Sequence, residues 1–183
     1  MKNFNIDREQ ALFLFIDVQD KLLKAIANRE DVLKNTKILA KMADIMKLES
    51  IFTAQYPKGL GFNNEELKAI LPDAKEFPKT TFSCMLDEAF VEELKKTNKK
   101  QIVLSGIEAH ICVLLTARDL IANGYEVFIA SDAIGSRSEF NYNNALQMLN
   151  EMGCVVTNTE TIMFDLNSIS GTDEFKAVQK LII

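Results

Sequence analysis

The amino-acid sequence predicts a three-layer α/β/α sandwich with a mainly parallel, Rossmann-like central sheet, formed by a single domain over residues 1–183. Three observations point to this fold class. Short runs of β-branched and aromatic residues are apolar at nearly every position, and longer segments carry apolar residues at helical spacing. The two kinds of segment alternate along the chain, as they do where helices cover both faces of a parallel sheet. A length of 183 residues is enough for one such core.

The predicted strands are apolar on both faces, which is typical of buried parallel strands. The first of them, ALFLFID, ends in a carboxylate, and the third, QIVLSGI, is the predicted centre of the sheet. The five strands predicted in chain order are Ala11–Asp17, Ser50–Ala54, Gln101–Ile107, Tyr125–Ser131 and Cys154–Thr157.

The predicted helices have apolar residues on one stripe, and Gly124 and Gly153 end two of them. Two stretches that contain all the prolines, 57–61 and 71–80, are predicted to be long loops. The apolar tail Gly171–Ile183 is predicted to form a last helix that docks on the domain or on a second subunit. The other helices are predicted over Val32–Leu48, Leu86–Lys96, Ile111–Ala122 and Tyr142–Met152.

Composition and charge exclude several classes of partner. The net charge is −5, which argues against a nucleic-acid partner because phosphates require a cationic surface. The longest early apolar run, Ala11–Ile16, is too short to span a bilayer, so we expect no membrane association and no signal peptide. Three widely spaced cysteines indicate free thiols in the cytoplasm. With His110 as the one histidine, we expect neither a metal nor another cofactor.

Polar residues lie where the predicted strands end, which is where ligands bind in an open parallel sheet. Asp17 ends the first strand, Gln55 follows the second, the segment Ser105–His110 follows the central one, and Asp132 follows the next. A carboxylate that ends so apolar a strand as LFLFI costs stability unless it is paired, although a helix cap or a structural ion pair would also explain Asp17.

Cys112 is predicted to lie in the first turn of a helix, where the helix dipole would lower the pKa of its thiol. The position alone slightly favours the other interpretation, a small buried apolar residue. Lys79, taken by itself, reads as a surface lysine.

Four segments, taken together and in order, resemble the isochorismatase-like cysteine hydrolase superfamily. They are FIDVQD (Phe15–Asp20), FPKTTFS (Phe77–Ser83), SGIEAHICV (Ser105–Val113) and SDAIGSRS (Ser131–Ser138). The AQYPKGLG stretch at 54–61 and the GTDEFKAVQKLI tail at 171–182 resemble the branch grouped with the bacterial YcaC protein.

The resemblance implies a catalytic triad in which Cys112 is the nucleophile, Asp17 is the general base and Lys79 holds both by charge. It also implies a cis peptide bond between Ile107 and Glu108 that turns the backbone N–H groups of Ala109 and Cys112 toward an oxyanion. We expect a small-molecule substrate, cleavage of an amide-type C–N bond and a homo-oligomer of two or more chains. The expected pocket residues are Gln19, Gln55, Phe82, His110 and Ile134.

Some members of the superfamily hold a metal with Asp and His residues after the second strand. The corresponding stretch Thr53–Gly59 contains neither, so the sequence favours a metal-free site. Two other readings stay open. One is a thiol redox protein that uses Cys112 with Cys84 as the resolving thiol, and the other is a non-catalytic scaffold of the same fold.

Overall fold

A computed structural model describes residues 3–183, and it shows the predicted α/β/α architecture. The central sheet has six strands, all parallel, in the order β3-β2-β1-β4-β5-β6. The strands are β1 (Ala11–Ile16), β2 (Glu49–Gln55), β3 (Lys75–Lys79), β4 (Gln101–Ile107), β5 (Glu126–Gly135) and β6 (Val155–Thr157).

Helices join the strands and cover both faces of the sheet. A 3-10 turn (Cys84–Leu86) precedes α5, and a π-helical turn (Ala109–Val113) leads from β4 into α6. The α-helices are α1 (Asp20–Leu23), α2 (Arg29–Met46), α3 (Pro57–Leu60), α4 (Glu65–Ile70), α5 (Glu88–Lys96), α6 (Leu114–Ala122), α7 (Glu139–Glu151), α8 (Thr159–Leu166) and α9 (Asp173–Gln179).

Two apolar clusters, one on each face of the sheet, form the core. Successive side chains of β1 alternate between them: Phe13 and Phe15 belong to one cluster, and Leu12, Leu14 and Ile16 belong to the other. Helices α2, α8 and α9 cover the first face, and α5, α6 and α7 cover the second. Because the inner strands β1 and β4 are buried on both sides, they show no alternation of polar and apolar residues.

The register of the strands brings their carboxyl ends to one edge. Ile16 lies opposite Thr53 of β2 on one side and opposite Gly106 of β4 on the other. In the next pair, Gln55 lies opposite Lys79 of β3. The order of the strands reverses direction between β1 and β4, which is the point where open α/β sheets bind their ligands.

Two predicted loops are regular structure. The 71–80 stretch contains the edge strand β3, and the sequence KEFPK does not read as a strand because it is charged and contains Pro78. An edge strand tolerates proline because one side of it makes no sheet hydrogen bonds. The 57–61 stretch contains α3, in which Pro57 occupies the first turn, a position where the missing N–H is not needed.

The chain's tail docks on its own domain. Val178 of α9 is buried in the same cluster as α2, and Leu181 and Ile182 pack partly against it. Arg8 also holds α9 against the domain, because its guanidinium bonds the carboxylate of Glu174 in that helix at 2.7 Å. The tail therefore does not need a second subunit to cover it, apart from the exposed Ile183.

Candidate active site

Three of the predicted site residues converge at the carboxyl edge of the sheet. The Lys79 Nζ lies 2.7 Å from Oδ2 of Asp17 and 3.7 Å from Sγ of Cys112. All three residues are buried, and Cys112 keeps only 6% of its surface exposed. A carboxylate, an ammonium group and a thiol therefore share one almost water-free site.

Each member of this group comes from a different part of the sheet. Asp17 follows β1 in a left-handed backbone conformation (φ 53°), which aspartate tolerates better than most residues. Lys79 ends the edge strand β3, and Cys112 lies in the π-helical turn between β4 and α6. Single-turn π-helical segments are frequent at functional sites, because the extra residue redirects side chains.

The Lys79 ammonium group is fully occupied by protein acceptors. Besides Asp17, it donates to Oε1 of Gln55 at 2.6 Å and to the carbonyl of Thr81 at 3.2 Å. An ammonium group has only three N–H donors, so these bonds fix its position. Burial alone would lower the pKa of Lys79, but the charge of Asp17 and its hydrogen bond to Lys79 act in the opposite direction, and the pKa is raised, so the group stays cationic.

The thiol of Cys112 rests in its protonated form. Burial raises its pKa, the Asp17 carboxylate raises it further, and the charge of Lys79 only partly offsets them. The lowered pKa expected from a helix dipole is therefore wrong, since the residue is more buried than its position in the sequence indicates. Such a thiol needs a base, and the carboxylate of Asp17 is beside it.

Two glutamines hold the end of β2 in place. The fully buried Gln19 accepts from the backbone N–H of Gln55 at 2.8 Å and donates to the backbone carbonyl of Gln55 at 2.9 Å and to that of Gly61. Gln55 in turn bonds Lys79. Both were predicted to line the pocket, and the structure gives them contacts with the protein itself.

The turn before Cys112 is held to the segment after β5. The Ile107–Glu108 peptide bond is cis. The Glu108 carboxylate bonds the guanidinium of Arg137 at 3.0 Å, and Nδ1 of His110 lies 2.9 Å from the hydroxyl of Ser136. The His110 side chain thus bonds Ser136, and among the described residues it makes no hydrogen bond to the Cys112 thiol.

The other two predicted pocket residues lie in different surroundings. Phe82 is exposed on the loop after β3, and its carbonyl lies 3.5 Å from Nζ of Lys79. Ile134 is fully buried in the apolar cluster that also contains Cys112. Phe82 can therefore contact a bound molecule directly, whereas Ile134 packs behind the site.

Two residues that contact the site were not predicted to support the triad, although Cys84 was named as the resolving thiol of the redox alternative. Thr53 of β2 donates its hydroxyl hydrogen to Oδ1 of Asp17 at 2.8 Å, and the buried Cys84 thiol lies 3.9 Å from the Thr53 hydroxyl. The one available signal for Thr53 was a hydroxyl residue within the apolar centre of β2, next to Phe52 and Ala54. Whether this hydroxyl reaches Asp17 depends on the pairing of β1 with β2, which sequence patterns do not specify.

The residues present do not fit a metal centre. Within residues 3–183 no group of three or more His, Cys, Asp and Glu side chains is placed to hold an ion. The end of β2 and the two positions after it are occupied by Gln55, Tyr56 and Pro57, which supply no carboxylate or imidazole. In the same range, no helix has the length and apolar character needed to cross a bilayer.

Solved structures similar to this chain share its fold over almost the whole length. The MAR1 ribonuclease from Caenorhabditis elegans is 34% identical, with a TM-score of 0.91 over 97% of this chain and 92% of that one. The YcaC gene product from Escherichia coli, described as an octameric hydrolase of unknown specificity, is 25% identical, with a TM-score of 0.93 over 99% of this chain and 90% of that one.

Sequence comparison identifies the family directly. Residues 11–161 match the model of the isochorismatase domain. The secreted isochorismatase effector Isc1 of Phytophthora sojae is 35% identical over 176 residues, which are 92% of this chain and 83% of that protein. Because the domain model and this relative both cover most of its length, the chain belongs to the isochorismatase family and is a hydrolase of that family.

Proposed function

We propose that this hydrolase cleaves the C–N bond of a small amide-type substrate by covalent catalysis on Cys112. The observation that carries the proposal is the buried contact of the three groups: Lys79 reaches both Asp17, at 2.7 Å, and the Cys112 sulfur, at 3.7 Å. A thiol with an adjacent base and a fixed cation is the arrangement that nucleophilic catalysis requires.

The proposed reaction has two halves. In the first, Asp17 takes the proton of the Cys112 thiol while the sulfur attacks the carbonyl carbon, and the same proton then goes to the leaving nitrogen. The amine departs and a thioester remains on Cys112. In the second, Asp17 takes a proton from water, the resulting hydroxide attacks the thioester carbon, and the thiol is regenerated with release of the acid.

Backbone geometry supports this chemistry at the carbonyl oxygen. The Ala109 N–H donates no hydrogen bond to any residue within 3–183, although Ala109 is fully buried. An unengaged donor beside the nucleophile can bind the oxyanion that forms during attack. We therefore assign Ala109, together with the N–H of Cys112, to the oxyanion hole.

A small-molecule substrate fits the charge of the chain better than a polymer of nucleotides. One structural relative is described as a ribonuclease, but a net charge of −5 here opposes binding of a phosphate backbone. RNA therefore belongs in the activity assay as a comparison substrate, and we expect it to remain intact.

The test is a screen of small amides, ureides and carbamates against the wild type and Cys112→Ala. We expect turnover by the wild type and a loss of more than about 10⁴-fold in the variant, because the nucleophile is removed. Rapid quenching followed by intact-protein mass spectrometry should reveal the acyl group on Cys112 of the wild type alone.

Three outcomes would contradict the proposal. Turnover that persists in Cys112→Ala would exclude the covalent route, and a disulfide between Cys84 and Cys112 formed on treatment with peroxide, without turnover, would favour the redox reading. An absence of both would favour the scaffold reading. Cys154→Ala is the matched control, because Cys154 is a buried cysteine in the same apolar cluster as Cys112 that takes no part in the triad.

The proposal includes assembly into a homo-oligomer. Large apolar side chains remain exposed on the single chain, among them Phe140 (79%), Leu86 (66%) and Phe62 (60%), and association would cover them. Light scattering at micromolar concentration is expected to report a mass of two or more chains of 20.6 kDa each. A mass of one chain would overturn this part of the proposal.

A cytoplasmic location stays a prediction, which fractionation of cells would test.

A further inference from the structure

A row of buried side chains leads from the second cysteine of this region to the proposed base. The Thr53 hydroxyl lies 2.8 Å from Oδ1 of Asp17, the Cys84 sulfur lies 3.9 Å from that hydroxyl, and the Thr116 hydroxyl lies 3.4 Å from the Cys84 sulfur. All four residues are almost fully buried. The proposed reaction uses only Asp17 directly, so the other three have no assigned role.

Hydrogen-bond chemistry gives this row a direction. A carboxylate can only accept, so the single hydroxyl hydrogen of Thr53 must point to Asp17, and the Thr53 oxygen is left to accept from the Cys84 S–H. Burial raises the pKa of Cys84 to about 11, so this thiol keeps its hydrogen at neutral pH.

The far end of the row is oriented in the same sense. The Thr116 oxygen accepts from the backbone N–H of Cys84 at 3.1 Å, which leaves the hydroxyl hydrogen of Thr116 to point at the Cys84 sulfur. Every hydrogen in the row therefore points toward Asp17. Bonds aligned in this way polarise one another and strengthen the last bond of the row.

We infer that Thr53 is a positioning residue for Asp17, and that Cys84 and Thr116 hold the Thr53 hydroxyl in its donating orientation. This inference rests on the proposed role of Asp17 as the base. With Thr53 on Oδ1 and Lys79 on Oδ2, each carboxylate oxygen carries one fixed donor, so the group cannot rotate. Each oxygen keeps a further lone pair, so the carboxylate can still accept the one proton that must move, that of Cys112.

The experiment measures the rate at which iodoacetamide alkylates Cys112 as a function of pH, by peptide mass spectrometry. Alkylation needs a base, so the wild-type rate should fall as the pH is lowered, and the inflection of this profile reports the protonation of that base. Thr53→Val keeps the shape of the residue but removes the donor. Since a hydrogen bond to a carboxylate favours its ionised form, we expect this inflection to move up by about one pH unit.

Three further variants test the row itself. Thr53→Ser retains the hydroxyl and should restore the wild-type inflection. Cys84→Ala removes the donor to Thr53 and should shift the inflection in the same direction as Thr53→Val by a smaller amount, while Cys84→Ser should not. If Thr53→Val fails to fold, as judged by circular dichroism, the comparison of Cys84→Ala with Cys84→Ser carries the test.

The controls separate this inference from the proposed function. Thr36→Val is a matched change, because Thr36 is equally buried and its hydroxyl bonds the backbone carbonyl of Ala133 rather than a residue of the row. The inflection of this variant should equal that of the wild type. Asp17→Asn should abolish the inflection, and persistence there would refute Asp17 as the base. If Asp17→Asn abolishes it but Thr53→Val leaves it unmoved, only the positioning role of Thr53 is overturned.

Discussion

Asp17→Asn is expected to lower the free energy of unfolding by about 3–5 kcal/mol and to reduce turnover by about 10²–10⁴-fold. The stability loss arises because the Lys79 amine, 2% exposed, would be left in a buried site without the carboxylate that stabilises its charged form. Asparagine is the suitable replacement, because it matches aspartate in size and tolerates the left-handed backbone at this position.

A double-mutant cycle completes this prediction. Lys79→Met should destabilise the protein by a similar amount, because it leaves the buried Asp17 carboxylate without a cationic partner. The Asp17→Asn/Lys79→Met double variant should recover most of the lost stability while remaining inactive. Its two neutral side chains leave no uncompensated charge in the buried site. Urea unfolding at one fixed protein concentration measures all four proteins.

An exposed ion pair provides the control for this cycle. Asp44 and Lys47 lie 2.9 Å apart but are largely in solvent, so Asp44→Asn should change stability by less than about 1 kcal/mol. If Asp17→Asn proves equally mild, then Asp17 and Lys79 do not form a buried charge pair, and the basis for the proposed site is lost.

Gly106→Ala is expected to prevent folding, or to cost more than about 4 kcal/mol if folded protein is recovered. Gly106 lies in β4 directly opposite the last residue of β1, and a Cβ at this position would stand 2.0 Å from the carbonyl oxygen of Ile16. Its φ of 121° is also unfavourable for alanine. The two strands would have to separate at the point where Asp17 emerges.

Gly153→Ala separates the steric clash from the backbone strain. Gly153 has a similar φ of 103°, but nothing lies within 4 Å of the position a Cβ would take. We therefore expect Gly153→Ala to cost only about 1–2 kcal/mol, the cost of an unfavourable backbone alone. Expression yield and thermal unfolding compare the two variants, and equal losses would show that the close approach to Ile16 is unimportant.

The fold was predictable because buried strands and helices show apolar runs or apolar residues at regular spacing within a short stretch of sequence. Strands such as β1 and β4 are continuous apolar runs, and Gly124 and Gly153 end helices where expected. The edge strand β3 was missed, since Lys75, Glu76 and Pro78 leave it without an apolar run. Helix α8 was also missed, because TETIMFDL is too short to establish a helical period.

The site was predictable only in part, for a related reason. Asp17 is conspicuous as a carboxylate after an apolar strand, but Lys79 has no local signal and was identified only through the family resemblance. The contact of Thr53 with Asp17 depends on the register of β1 against β2, and the raised pKa of Cys112 depends on burial by remote segments. Properties that arise from packing between distant segments are not visible in a local pattern.

The order of the strands also has a consequence for synthesis of the chain on the ribosome. β1 is made first, yet it ends between β2 and β4, and its second edge cannot be paired until residue 101 and those after it have emerged. Until then the edge of ALFLFI offers unpaired backbone groups beside apolar side chains, a surface on which nascent chains associate. The strand that leads to the proposed base is thus also a segment that a chaperone would protect, and slower translation between β2 and β4 should lower the yield of folded protein.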